Sequence, residues 1–139
     1  MSKINPNTQA REFAVQFLYS CETEKIFYFS AEHFEHFTSY FKVDAILGSY
    51  LETLVKGVLE NITKLDEIIS KHSKNWKISR MPSTDRAVLR MATHEILEKM
   101  APDKVILNEA IELAKRYGAE HSGSFVNGIL DSVLAELRT

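Results

Sequence analysis

Lys104-Val105-Ile106-Leu107-Asn108-Glu109-Ala110-Ile111-Glu112-Leu113-Ala114-Lys115-Arg116-Tyr117-Gly118-Ala119-Glu120 runs straight into His121-Ser122-Gly123-Ser124-Phe125-Val126-Asn127-Gly128-Ile129-Leu130-Asp131. In the first part, Leu107, Ala110, Ile111, Ala114 and Tyr117 recur at helical spacing. Gly118 falls where helices commonly end on a left-handed residue, so the spacing predicts a stop there. Beyond the Ser-Gly-Ser turn, the pairs Phe125/Val126, Ile129/Leu130 and Val133/Leu134 predict a second helix. Amphipathic helices joined by a short turn must bury their stripes against one another or against further helices. The stretch therefore points to an all-α chain.

Working outward, helix signals continue and strand signals are weak. Ala10, Phe13, Ala14, Phe17, Leu18 and Cys21 form one stripe behind Asn5-Pro6 and Thr8, which are start signals. A short aromatic segment runs from Phe27 to Phe41, with Phe34 and Phe37 facing one way. Asp44 is a suitable N-cap for a long helix carrying Leu47, Tyr50, Leu51, Leu54, Val55, Val58, Leu59 and Ile62. Leu65, Ile68 and Ile69 extend that pattern as a separate or bent helix. Met81-Pro82-Ser83 marks a break and a fresh start. The helix that follows places Leu89, Ala92, Ile96 and Met100 on one side and ends at Ala101-Pro102-Asp103. About seven helices with short connections predict one bundle-like domain over residues 1–139. Gly57 and Gly128 interrupt strong helical patterns at roughly 1 kcal/mol each relative to Ala. Close helix–helix approach explains them, or, for Gly128, a backbone brought near a ligand.

Composition narrows the function classes. Lys+Arg 17 against Asp+Glu 19 gives a net charge of -2, so any nucleic-acid site must be a local patch. The single cysteine, Cys21, excludes an internal disulfide, fits a reducing cytoplasm and reads as a core residue. No stretch reads as a signal peptide or a membrane span, so a cytoplasmic chain without a membrane partner is expected. His33 and His36 are spaced to lie together on a helix, but no third ligand accompanies them, and neither metal nor cofactor is expected. One local patch does stand out. Lys71-His72-Ser73-Lys74-Asn75-Trp76-Lys77-Ile78-Ser79-Arg80 has four cations at intervals of three around the only tryptophan, and no acidic residue occurs between Glu67 and Asp85. Cations for phosphates and a ring for bases are what a single-strand binding patch requires. The alternative is a solvated loop that Trp76 anchors to the core.

The words NEAIELAK and FVNGILD, joined by YGAEHSGS, resemble the C-terminal signature of the NusB family of transcription antitermination factors. Ser83 to Ile96 resembles the family's central helix, and Ala10 to Ser20 its first helix, including the leucine–tyrosine pair Leu18-Tyr19. The likeness covers most of the chain and fades between Glu22 and about Asp44. It implies two three-helix bundles with connecting helices, and a protein that is not an enzyme. It further implies binding of boxA RNA together with NusE, a small-subunit ribosomal protein. That assembly joins RNA polymerase and suppresses termination in ribosomal RNA operons. Some family members form homodimers that cover the RNA site, so self-association is a further partner reading.

The resemblance also implies site residues. Tyr19 and Asp85 match positions that contact NusE; the alternatives are a ring capping the core and a carboxylate serving its own helix N-terminus. Lys3 and Arg11 lie in the family's basic N-terminal arm, while Ser122, Phe125 and Asn127 match the turn and start of the last helix. Phe125 is a base-stacking ring or a core ring. His72 matches an RNA-facing position. This chain departs from the family in its sparse arm, where Lys3 and Arg11 are the only cations before residue 12. Lys71, Lys74, Lys77 and Arg80 are placed to compensate, which makes Lys74 and Lys77 RNA candidates. A competing reading is an enzyme fragment, because NusB-like domains also occur fused to RNA cytosine methyltransferases. That chemistry needs a nucleotide-binding α/β domain and a nucleophilic cysteine. This chain has no G-x-G-x-x-G loop and no strand–helix alternation.

Overall fold

The computed structural model describes residues 6–139. They form seven α-helices and one 3-10 turn, with no strand among the described residues. Lys3 lies outside them. Two compact units divide the chain, one up to Glu60 and one from Asn61 to Thr139.

The first unit holds α1 (Pro6–Glu24), α2 (Ala31–Tyr40) and α3 (Ala45–Glu60). The α1 stripe is buried at Ala10, Ala14, Phe17, Leu18 and Cys21. This helix packs on α3, where Leu51, Leu54, Val55 and Val58 are fully buried. Phe17 meets Phe34 and Phe37 of α2 edge-on, with ring centroids 5.5 and 5.3 Å apart, an arrangement that suits the ring quadrupoles. Burial, and then Glu24 and Glu22, pushes the Cys21 thiol up to about 12, so it behaves as an inert small hydrophobe. Asp44 caps α3 as its spacing predicts: its Oδ1 accepts the Leu47 N–H at 2.9 Å.

The second unit holds α4 (Ile62–His72), the 3-10 turn Ile78–Arg80, α5 (Ser83–Glu98), α6 (Asp103–Tyr117) and α7 (Ser122–Leu137). Helices α5, α6 and α7 each pack on the other two, and α4 lies against α5 and α7. Helix α5 is central, with an unbroken buried run from Met91 to Ile96. Truncating a side chain such as Leu89 to Ala would cost roughly 2–5 kcal/mol. Helices α3 and α4 are separate, with Asn61 between them. Met100 lies outside α5, because Lys99 turns left-handed (φ 51°) and the Met100 N–H closes on the Glu95 carbonyl at 3.0 Å.

Two glycine expectations change. Gly118 is extended (φ -100°), not left-handed. A Cβ there would strike the Ser122 hydroxyl and the Ala114 carbonyl, so close approach, rather than a helix-ending dihedral, requires glycine. Gly128 sits exposed in α7 with nothing within 4 Å of an added Cβ, so helix–helix approach does not explain it.

Three arginines hold the second unit together. Arg90 grips Asp66 bidentately at 2.8 and 2.9 Å, joining α5 to α4. Arg138 does the same to Asp103 at 2.8 Å through each nitrogen and also donates to the Ile96 carbonyl at 2.9 Å. Arg86 donates to the Ile78 and Met81 carbonyls at 2.7 and 2.8 Å, pinning the 3-10 turn onto the start of α5. Planar forks of this kind suit arginine and not lysine.

Candidate nucleic-acid interface

The basic stretch begins in the last turn of α4 and crosses to α5. A turn closes it where the Trp76 N–H bonds the Ser73 carbonyl at 3.0 Å, and buried Met81 anchors its far end. Lys74, Lys77 and Arg80 are exposed. Trp76 is 52% exposed and meets Phe125 of α7 edge-to-face, centroids 6.1 Å apart at 74°. The fold thus brings together two stretches that are far apart in sequence: the Lys/Trp segment and the beginning of α7. Phe125 and Asn127 are half-buried there. Helix α7 begins at Ser122 without a side-chain cap; the Ser122 N–H bonds the Ala119 carbonyl at 3.1 Å, and the other N–H groups of a helix's first turn suit an anion.

Other candidates are placed differently. Arg11 is 2% exposed and Ser122 is 3% exposed, so neither offers the accessible group that a phosphate contact needs. Ser122 has a structural task instead. Its Oγ accepts the Ala119 N–H at 2.8 Å, and its hydroxyl hydrogen-bonds the Asp85 carboxylate. Asp85, at 3% exposure, is not the exposed carboxylate that a partner interface requires. Burial holds its carboxyl above the usual range against the Ser122 hydrogen bond, which lowers it, and its Oδ1 has no partner. Helix starts mix inward and outward polar residues, and local spacing does not separate them. Tyr19, by contrast, is 49% exposed on α1.

His72 is engaged rather than open. Its Nε2 lies 2.7 Å from Glu136 Oε1 and its Nδ1 2.7 Å from Ser132 Oγ. A carboxylate only accepts, so Nε2 donates to Glu136, and Nδ1 shares a hydrogen bond with the serine hydroxyl. Lys71 also donates to Glu136, at 2.9 Å. The sequence of serine, histidine and acid has the order of a catalytic triad. Ser132 lies inside α7, however, where the backbone N–H groups are bonded within the helix, so the helix backbone beside it offers no donors to an oxyanion. Glu136 therefore acts as a carboxylate that offsets part of the basic stretch, and the hydrogen bonds from His72 and then Lys71 hold its carboxyl below the usual range. One cation was not visible in the pattern: the Lys115 side chain crosses buried Gly123, 2.9 Å from where a Cβ would stand, and so reaches the first turn of α7. Among the described residues, no three histidine, cysteine or acidic side chains are grouped to hold a metal.

Residues 8–135 match the NusB family. The chain is 39% identical over 137 residues to the transcription antitermination protein NusB of Thermodesulfovibrio yellowstonii, covering 92% of this chain and 91% of that one. It superposes on the NusB structure of T. maritima with a TM-score of 0.83 and 33% identity, over 97% of this chain and 94% of that chain. The same fold, at a TM-score of 0.84 and 24% identity, occurs in a crystal structure of antitermination factors NusB and NusE in complex with dsRNA. That superposition covers 96% of this chain and 99% of that chain.

Proposed function

The chain belongs to the NusB family of transcription antitermination proteins, and on that premise we propose that it binds boxA RNA together with NusE and enters an RNA polymerase complex that suppresses termination in ribosomal RNA operons. It acts by binding and is not an enzyme. The observation that supports the RNA surface is the Trp76–Phe125 pair flanked by exposed Lys74 and Lys77. Lysines supply sequence-independent affinity through phosphates, and rings accept unstacked bases. Asn127 and the uncapped start of α7 extend this surface. Tyr19 is the residue through which NusE is met. Asp85 contributes indirectly, by holding Ser122 and with it the turn before α7.

Trp76 is the only tryptophan, so its emission reports on this surface directly. Titration with single-stranded boxA RNA is expected to quench it, and more strongly at equal RNA concentration when NusE is present. Changing Lys74 and Lys77 together to Glu should weaken binding of boxA and scrambled RNA alike. The log–log salt slope should fall by about 0.7 for each phosphate that the variant no longer neutralises. Unchanged affinity in that double variant over a range of salt, or RNA binding that leaves Trp76 emission untouched, would remove the proposed surface.

A further inference from the structure

The first unit carries a groove of about 520 Å³ between the end of α1 and α2, lined by residues that include Glu24, Glu32, His36, Phe37, Tyr40 and Phe41. It continues over the edge of α2 past Glu35 and Ser39. No lysine or arginine lines it. Between Glu22 and Tyr40 the sequence has four carboxylates and a single cation, Lys25, the reverse of residues 71–80. The wall is aromatic and partly bare. Tyr40 is 80% exposed and Phe41 is 41% exposed. These rings are braced: Tyr40 stands at 82° to Phe41 with centroids 4.9 Å apart, and Phe41 packs on buried Phe37 at 4.7 Å. The floor is held by His33, which lies 4.6 Å from the Phe17 ring and 3.1 Å from both Ser20 Oγ and Glu24. The side-chain carboxylates of Glu32 and Glu35 have no partner among the described residues.

We propose that this groove docks an arginine-bearing segment of a basic partner protein. A guanidinium is planar and weakly hydrated. It can lie on a ring face while its N–H fork meets a carboxylate, and the groove offers both along one wall. Lysine would satisfy the charge but not the stacking. Phosphate is opposed by three carboxylates, so this surface does not bind RNA.

The test uses the whole chain and a fluorescein-labelled Arg-Leu-Arg-Gly-Arg peptide, followed by anisotropy at low salt. The expected result is saturable binding, with the all-lysine peptide weaker by about tenfold and the all-glutamate peptide not binding. Tyr40→Ala, and separately the pair Glu32→Gln and Glu35→Gln, should each weaken the arginine peptide about tenfold while helix content and boxA RNA affinity stay as in the parent. Equal binding of arginine and lysine peptides would overturn the proposal, as would unchanged affinity in both variants. So would competition by single-stranded RNA that Tyr40→Ala relieves, which would make the groove a nucleic-acid surface. Concentration-dependent dimerisation abolished by Tyr40→Ala would make the occupant a second copy and would equally overturn it.

Discussion

At the scale of the residue, the two glycines of the C-terminal third have opposite reasons. Gly118 is required because Ser122 and the Ala114 carbonyl leave no room for a methyl group. Gly128 meets nothing within 4 Å, lies on the exposed side of α7 and weakens its own helix. Nothing within the fold explains it. Gly128→Ala is therefore expected to raise stability by about 1 kcal/mol, read as a higher urea midpoint at unchanged slope. If a ligand approaches the α7 backbone there, the same variant will also lose RNA or NusE affinity. A stability gain with both affinities intact would make Gly128 a tolerated defect. Among the described residues outside glycine, Lys25, Lys42 and Lys99 are the ones with left-handed backbones, and each closes a helix. The chain thus ends helices on lysine where glycine is the usual choice.

At the scale of the element, the basic stretch is less free than its composition suggests. Helix α7 brings Glu136 to it from 65 residues away, and that carboxylate occupies Lys71 and His72. Arg86 and buried Met81 hold the far end in place, so the exposed cations are presented on an ordered turn. Glu136→Gln should release Lys71 and remove a negative charge facing the RNA surface. RNA affinity is expected to rise severalfold at low salt, with a steeper salt dependence, and the gain should fade at high salt. An affinity that stays level at every salt concentration would place Lys71 and Glu136 outside the RNA surface.

At the scale of the whole molecule, the pH response follows from carboxylates with opposite shifts. Asp103, hydrogen-bonded by Arg138, is held below its ordinary value of 3.8. The native chain therefore binds fewer protons than the unfolded chain in that range. Asp103 contributes stability that is complete above 3.8 and is lost as pH falls through the lowered native value. Asp85 runs the other way: burial raises it, so stability declines as pH rises from 3.8 through the raised native value. Asp103→Asn should lower the urea midpoint near neutrality and converge on the parent in strong acid, whereas Asp85→Asn should equal or exceed the parent near neutrality. A constant gap between Asp103→Asn and the parent down to strong acid would show that the Arg138 pair does not set this response. Helix number, the Asp44 cap, the breaks at Pro82 and Pro102, the core stripe of α1 and the family itself were all legible in the chain, because each is local: a 3.6-residue period, a cap, a proline or a contiguous word. The tertiary structure alone decided that Arg11, Asp85 and Ser122 are buried, that Trp76 meets Phe125, that Glu136 faces the basic stretch and that Gly118 is needed for space. Each of these depends on which residues distant in sequence come within a few ångströms, and neither the period of a helix nor the charge of a segment contains that distance.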